Sequence, residues 1–229
     1  MESHSGDFLP RFRPSPPGFT RFETVTDAPL SSTPRRLVVG ISGASGVAYG
    51  VRVLDALKEL GVESHLVISR AALLTLSQET DLTLDDVTSK ASVVHRIADV
   101  GATIASGSFR TLGMLIAPCS VRTMSEIATG VTSTLLTRAA DVVLKERRTL
   151  ALLVRETPLH LGHLRTMTSL TEMGAIITPP LPAHYTRPQS VEEIVDQSVG
   201  RALDLFGLDW SPVRRWEGLK GTGERGDAG

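Results

Sequence analysis

The chain has 229 residues, 41% of them hydrophobic and 21% charged, and its 24 Lys and Arg against 25 Asp and Glu leave a net charge of −1. That balance gives no electrostatic basis for nucleic-acid or anionic-membrane partners, and the single Cys119 excludes an internal disulfide framework and a cysteine-based zinc site. No apolar run approaches the roughly 18 residues of a spanning helix, and no signal-like segment opens the chain, so the expectation is one cytoplasmic domain able to bury a full core.

Residues 1–34 hold six of the thirteen prolines without any apolar period, which predicts a disordered extension. The domain is expected over 35–217 and a mobile, glycine-rich tail over 218–229. From Arg36 onward short β-branched runs alternate with helical periods. Leu37-Val38-Val39 reads as a strand entering Gly40-Ile41-Ser42-Gly43-Ala44-Ser45-Gly46, a strand-to-helix turn whose N–H groups and helix dipole suit a phosphate. Ser42 and Ser45 add hydroxyl donors. The glycines miss the dinucleotide fingerprint, because Ser42 stands where its second glycine belongs.

Val47, Val51, Leu54 and Leu57 continue this turn as a helix, His65–Ile68 reads as a second strand, and Arg70 to about Glu79 as a second helix. Gly113–Ala117 is a buried strand stopped by Pro118, with Ser120 as the N-cap of the next helix. Helices are expected over about 121–129 and 133–147, and strands at Thr149–Val154 and Ala175–Thr178. A last helix starts near Ser190, with Glu193 completing a capping box, and turns Val191, Ile194, Val195, Ala202, Leu205 and Phe206 inward. Alternating elements with continuously apolar strands predict a single α/β domain, a doubly wound, Rossmann or flavodoxin-like parallel sheet.

In such folds ligands bind beyond the carboxyl ends of the strands. The residues there are Gly43-Ala44-Ser45, Ser69, Pro118-Cys119-Ser120, Arg155-Glu156 and the loop with His184-Tyr185. A nicotinamide dinucleotide would want an acidic residue after the second strand, where Ser69 and Arg70 stand; this disfavours NAD and leaves NADP only through Arg70, so a mononucleotide such as FMN fits better. Arg138 and Lys145 are two helical turns apart and share a face, with Asp141 placed to pair with Arg138. Arg155 ends an apolar strand and suits a phosphate, or else pairs with Glu156. His160 and His163 share a helical face without a third metal ligand, and Cys119 and Ser45 lack the partners of a nucleophile.

The chain resembles the UbiX family of flavin prenyltransferases, within the wider group of homo-oligomeric flavin-containing Cys decarboxylases. The matching text is Gly-Ile-Ser-Gly-Ala-Ser-Gly at 40–46, Ser69-Arg70-Ala71-Ala72, Glu79-Thr80-Asp81, Pro118-Cys119-Ser120, the run from Arg138 to Arg148, Val154-Arg155-Glu156-Thr157-Pro158-Leu159 and Tyr185-Thr186-Arg187-Pro188-Gln189-Ser190, spread over about 36–217. The resemblance implies FMN held by Gly43, Ala44, Ser45, Ser69, Ser120, Val121, Arg122, Thr123 and Arg155. It implies a prenyl phosphate, from dimethylallyl phosphate or diphosphate, held without metal by Arg138, Lys145, Tyr185 and Arg201. Glu79 and Glu156 would stand near the reacting centre, with Glu156 as acid/base, Ser45 assisting and Trp216 lining the pocket. The implied reaction joins a dimethylallyl group to N5 and C6 of reduced FMN and gives prenylated FMN, the cofactor of UbiD-type decarboxylases, in a homododecamer. Two alternatives remain: an FMN-dependent decarboxylase of a cysteine-containing substrate, and a flavin-binding subunit without turnover. Pro118-Cys119-Ser120-Val121-Arg122-Thr123 and Arg155-Glu156-Thr157-Pro158 stand where the decarboxylases carry Pro-Ala-Ser-Ala-Asn-Thr and Pro-x-Met-Asn, which disfavours the first.

Overall fold

The structure, a computed structural model, describes residues 35–216 and 218. The expected extension at 1–34 and the tail beyond 218 lie outside the described residues. Six strands, β1 Arg36–Ile41, β2 Glu63–Ile68, β3 Val93–His95, β4 Gly113–Cys119, β5 Thr149–Val154 and β6 Ile176–Ile177, form one sheet in the order β3-β2-β1-β4-β5-β6. Every pairing is parallel. Seven helices accompany them: α1 Val47–Glu59, α2 Arg70–Glu79, α3 Leu84–Thr88, α4 Val121–Thr129, α5 Leu135–Lys145, α6 Leu161–Glu172 and α7 Val191–Asp204. This is the doubly wound α/β fold, and its strand order reverses between β1 and β4.

Side chains alternate across a strand, so β1 sends Leu37, Val39 and Ile41 into one apolar cluster and Val38 into another. The first cluster takes α1, α2 and α7 through Leu54, Leu57, Leu76, Val199 and Leu203. The second takes α4, α5 and α6 through Met124, Leu136, Val143 and Leu170. Right-handed crossovers running outward in both directions from the reversal point place the two helix groups on opposite faces.

Several elements differ from the sequence reading. Pro118 does not stop β4, which runs to Cys119 through a register shift opposite β5, where a residue without N–H is tolerated. The segment between α2 and β4, for which no element was expected, contains α3, the edge strand β3 and a short 3-10 turn at Thr103–Ala105. Ser190 caps α7 by accepting from the Glu193 N–H at 3.2 Å, but the Glu193 carboxylate reaches the N–H of Gln189 at 3.1 Å, one residue off a capping box. The inward stripe of α7 is Val195, Val199, Ala202 and Leu203, whereas Val191 is 70% and Leu205 36% exposed. Val191, a turn before Val195, opens onto a groove with Ala48 and Val51 instead.

Candidate functional site

Two loops meet at the reversal point. Ser42, 1% exposed, donates its hydroxyl to the Pro118 carbonyl at 2.9 Å and accepts the Ser120 N–H at 2.7 Å. Both of its bonding directions are spent inside the protein, so it is a tie between the two loops and not the ligand donor the sequence suggested. Gly43 follows where α2 presses in: a Cβ there would overlap the Cβ of Ala71. Gly46 opens α1 at φ +100°, a conformation that side chains resist.

The N-terminus of α1, expected to cradle a phosphate, is filled from within the chain. The Glu79 carboxylate accepts the N–H groups of Gly46 at 2.8 Å and Val47 at 3.0 Å. Burial alone would raise this carboxyl, but hydrogen bonds from Ser45, Gly46 and Val47 and the charge of Arg155 hold it below its ordinary value. Ser45, Glu79 and Arg155 therefore form one group beside the reversal point. Tyr49 belongs to it too, its hydroxyl raised by burial and lowered in part by Arg155.

On the other side of the turn a cavity of about 390 Å³ is lined by the starts of three helices. From α2 come Ser69, Arg70 and Ala71; from α4, Ser120, Arg122 and Thr123; from α5, Thr134, Leu136 and Thr137. Gly43, the Ile97-Ala98 segment after β3, Glu126 and Ser133 complete the wall. Ser69, Ser120 and Thr134 each cap their own helix, accepting from Ala72, Thr123 and Thr137. Three helix dipoles thus point their positive ends into one space, an arrangement that suits a phosphate dianion. Arg122, 82% exposed, is braced by Glu126 at 2.9 Å, which also accepts from Ser133 at 2.8 Å.

Of the residues expected at FMN, Gly43, Ser69, Ser120, Arg122 and Thr123 line this cavity. Ala44 lies in the turn, its N–H on the Ser42 carbonyl at 2.9 Å, and Val121 is the first residue of α4. Arg155 is exposed after β5, with its N–H on the Cys119 carbonyl at 3.1 Å. Its guanidinium makes no ion pair with Glu156, whose own contact is an accepted N–H from Thr157 at 3.0 Å. The sequence reading missed Thr134 and Thr137, since a capping box of two threonines lacks the usual Glu or Gln signal. Ile97 and Ala98 follow an edge strand with no apolar period and carried no signal either.

The four residues expected at a prenyl phosphate are not together within one chain. Arg138 and Lys145 lie on α5, on the second cluster's face, paired with Asp141 at 2.7 Å and Glu146 at 2.6 Å. Lys145 ends α5, at the sheet edge opposite the cavity. Tyr185, in the 3-10 turn His184–Thr186, and Arg201, on α7 with Asp204, belong to the first cluster's face. Trp216 meets the Tyr185 ring edge-on at 5.7 Å.

The remaining candidates are structural. Cys119 is wholly buried, which pushes its thiol far above the ordinary range. His160 caps α6 by accepting the Gly162 N–H at 3.0 Å and stacks on His163 at 3.6 Å. Among the described residues no group of three or more His, Cys, Asp or Glu could hold a metal, and no helix is long and apolar enough to cross a membrane.

A family model described as Flavoprotein matches residues 26–203. The flavin prenyltransferase UbiX of Thauera aromatica is 56% identical over 183 residues, covering 80% of this chain and 94% of that protein. The crystal structure of AnUbiX (PadA1) in complex with FMN and dimethylallyl pyrophosphate superimposes with a TM-score of 0.80 at 49% identity, covering 82% of this chain and 100% of that one. A dodecameric FMN-dependent UbiX-like decarboxylase from Escherichia coli O157:H7 follows at 0.78 and 48%, covering 80% and 100%.

Proposed function

This chain belongs to the flavin prenyltransferase UbiX family, and we propose that it joins the dimethylallyl group of dimethylallyl phosphate or pyrophosphate to reduced FMN. The observation that carries this is the convergence of the α2, α4 and α5 N-termini on one cavity, beside the group of Ser45, Glu79 and Arg155. The cavity fits the FMN phosphate: capping serines and threonines, helix-start dipoles and the Arg70 and Arg122 guanidiniums favour a dianion, and the one carboxylate in the lining, Glu126, is engaged by Arg122 and Ser133. Reduced FMN, when bound, supplies the nucleophilic N5 and C6.

The residues divide the remaining work. Glu156, exposed and not neutralised by Arg155, has a carboxylate oxygen free to take and return a proton. Ser45, next to the Gly46 N–H that Glu79 accepts, assists Glu156. Arg138, Lys145, Tyr185 and Arg201 hold the donor phosphate and neutralise its charge as the allylic C–O bond breaks, which is the task a metal ion would otherwise perform. Their carboxylate partners are surface ion pairs of small worth, readily yielded to a phosphate. Because the two pairs lie on opposite faces, a donor site containing all four needs a second copy of the chain. The dodecameric relative supports such an assembly, as do Leu159, Leu161 and Leu164, 43%, 59% and 47% exposed.

Prenylated FMN would pass to a UbiD-type decarboxylase, and the catalytic unit is the domain at 35–217. A cytoplasmic location suits its one buried, reduced cysteine. The test is anaerobic incubation with reduced FMN and either donor, followed by mass measurement of the released flavin. A flavin heavier by one dimethylallyl unit, dependent on donor, is expected; unmodified FMN with both donors would overturn the reading.

A further inference from the structure

After α7 the chain doubles back as a strap over residues 208–216, and its anchoring is specific. Trp210, 2% exposed, donates its indole N–H to Glu59 at 2.6 Å beneath the Arg52 guanidinium at 4.7 Å. Val213 occupies a notch that only glycine leaves open, since a Cβ on Gly200 would overlap its Cγ2. Arg215 pairs with Asp204 at 2.9 Å, the same carboxylate that Arg201 engages.

Between these anchors lies Gln197, a polar side chain only 6% exposed. Its Oε1 accepts the Arg214 N–H at 3.0 Å, while its Nε2 donates to the Arg214 carbonyl at 3.1 Å and to the Tyr185 hydroxyl at 3.3 Å. The reverse amide orientation would set two donors against each other at the Arg214 N–H, so the direction is fixed. With Nε2 directed at the oxygen of Tyr185, that hydroxyl is left to act as a donor, and its proton goes to the Arg214 carbonyl at 3.3 Å. This carbonyl keeps its bond from Gln197 if Tyr185 turns its proton elsewhere. Tyr185 can therefore donate its hydrogen bond to a phosphate oxygen without orphaning a strap carbonyl. The Arg214 guanidinium, on the Thr186 carbonyl at 2.9 Å, ties the strap to the same turn.

We infer that Gln197 is a positioning residue for prenyl transfer: it presents Tyr185 as a hydrogen-bond donor to the donor phosphate and anchors the strap that carries Trp216. The inference rests on the proposed contact of Tyr185 with that phosphate. It is tested with Tyr185→Phe, Gln197→Met, Gln197→Glu and the double variant Gln197→Glu/Tyr185→Phe. Each is assayed for KM toward dimethylallyl phosphate, for FMN affinity and for tryptic cleavage after Arg214 and Arg215. Tyr185→Phe should raise the donor KM about tenfold, the loss of one hydrogen bond to a charged acceptor. Gln197→Met should do the same and accelerate cleavage, with FMN affinity held within about twofold. Gln197→Glu keeps an acceptor for the Arg214 N–H but captures the Tyr185 proton. It should therefore raise the donor KM with less acceleration of cleavage than Gln197→Met, and should add less than about twofold in the Tyr185→Phe background. If Gln197→Glu acts equally in both backgrounds, or leaves the KM unchanged where Tyr185→Phe raises it, the assignment of Gln197 is wrong. If Tyr185→Phe itself leaves the donor KM unchanged, the donor-site reading fails and the role of Gln197 with it.

Discussion

The start of α1 and the starts of α2, α4 and α5 stand at the same sheet edge with the same backbone dipole, yet the chain treats them differently. At α1 the dipole is already answered by Glu79, brought back from the end of α2. At the other three no carboxylate answers it: hydroxyls cap each helix, the Ile97 carbonyl takes the Leu135 N–H of α5, and the starts open into a cavity. A glycine-rich turn is therefore not in itself an anion site; what decides is whether the fold delivers a carboxylate to it. Under the proposed function, the filled terminus supports the chemistry and the open ones bind the FMN phosphate.

That division can be broken from either side. The largest effect is expected from Glu156→Gln, on the reacting side: adduct formation in single turnover should fall by at least about a hundredfold, while FMN and donor affinities hold. A wild-type rate would remove Glu156 from the acid/base role. Next comes Ser120→Asp at an open terminus. Aspartate caps a helix as well as serine, so the melting temperature should stay, but its charge faces the phosphate and should weaken FMN binding about a hundredfold. Unchanged affinity by titration would move the phosphate away from α4.

At the filled terminus, Glu79→Gln should leave FMN affinity within about twofold and lower stability by about 0.5 kcal/mol, the worth of an exposed charge at a helix start. Because Glu79 is held below its ordinary value of 4.5, its contribution is present above that pH and is lost as pH falls through the depressed value. Denaturation curves of the variant should consequently flatten on the acid side; an unaltered pH profile would show that Glu79 does not serve α1.

The smallest effect concerns the wall that β3 leads into. His95 lies against His65 at 2.9 Å, and His65 against Glu63 at 2.8 Å, with Arg36 on the same carboxylate at 3.2 Å. Burial and the neighbouring His65 hold His95 below its ordinary 6.5, against a smaller opposing pull from Asp99. The unfolded chain binds that proton first, so stability is full above about pH 6.5 and declines as pH drops toward the depressed value. His95→Gln keeps a donor for His65 and should remove a drop of about 2 °C in melting temperature between neutral and mildly acidic pH. A drop of equal size in the variant would place its origin elsewhere.

Much of this was readable in the sequence, for local reasons. Leu37-Val38-Val39 and Leu150-Ala151-Leu152-Leu153 are apolar on both faces because the strands are covered twice, and Ser120 announces its cap one residue before the helix. What was hidden depends on distance along the chain. Glu79 meets Gly46 across 33 residues, and nothing in Gln-Glu-Thr-Asp announces that contact. The edge strand β3, with Val93 and Val94 37% and 48% exposed, lacks the burial that makes a strand pattern visible. The separation of Arg138 and Lys145 from Tyr185 and Arg201 follows from which face each helix takes. That depends on strand order, which adjacent residues do not encode.

The tie made by Ser42 has a bearing on redesign of the pocket. One buried hydroxyl holds the loops after β1 and β4 together in both bonding directions, so neither rim can be remodelled without the other. Attempts to admit a bulkier acceptor should therefore leave residues 42 and 118–120 alone. Room is better sought in the Ile97 side chain, which lines the cavity and whose tie to α5, its carbonyl on the Leu135 N–H at 2.9 Å, is made by the backbone and survives truncation.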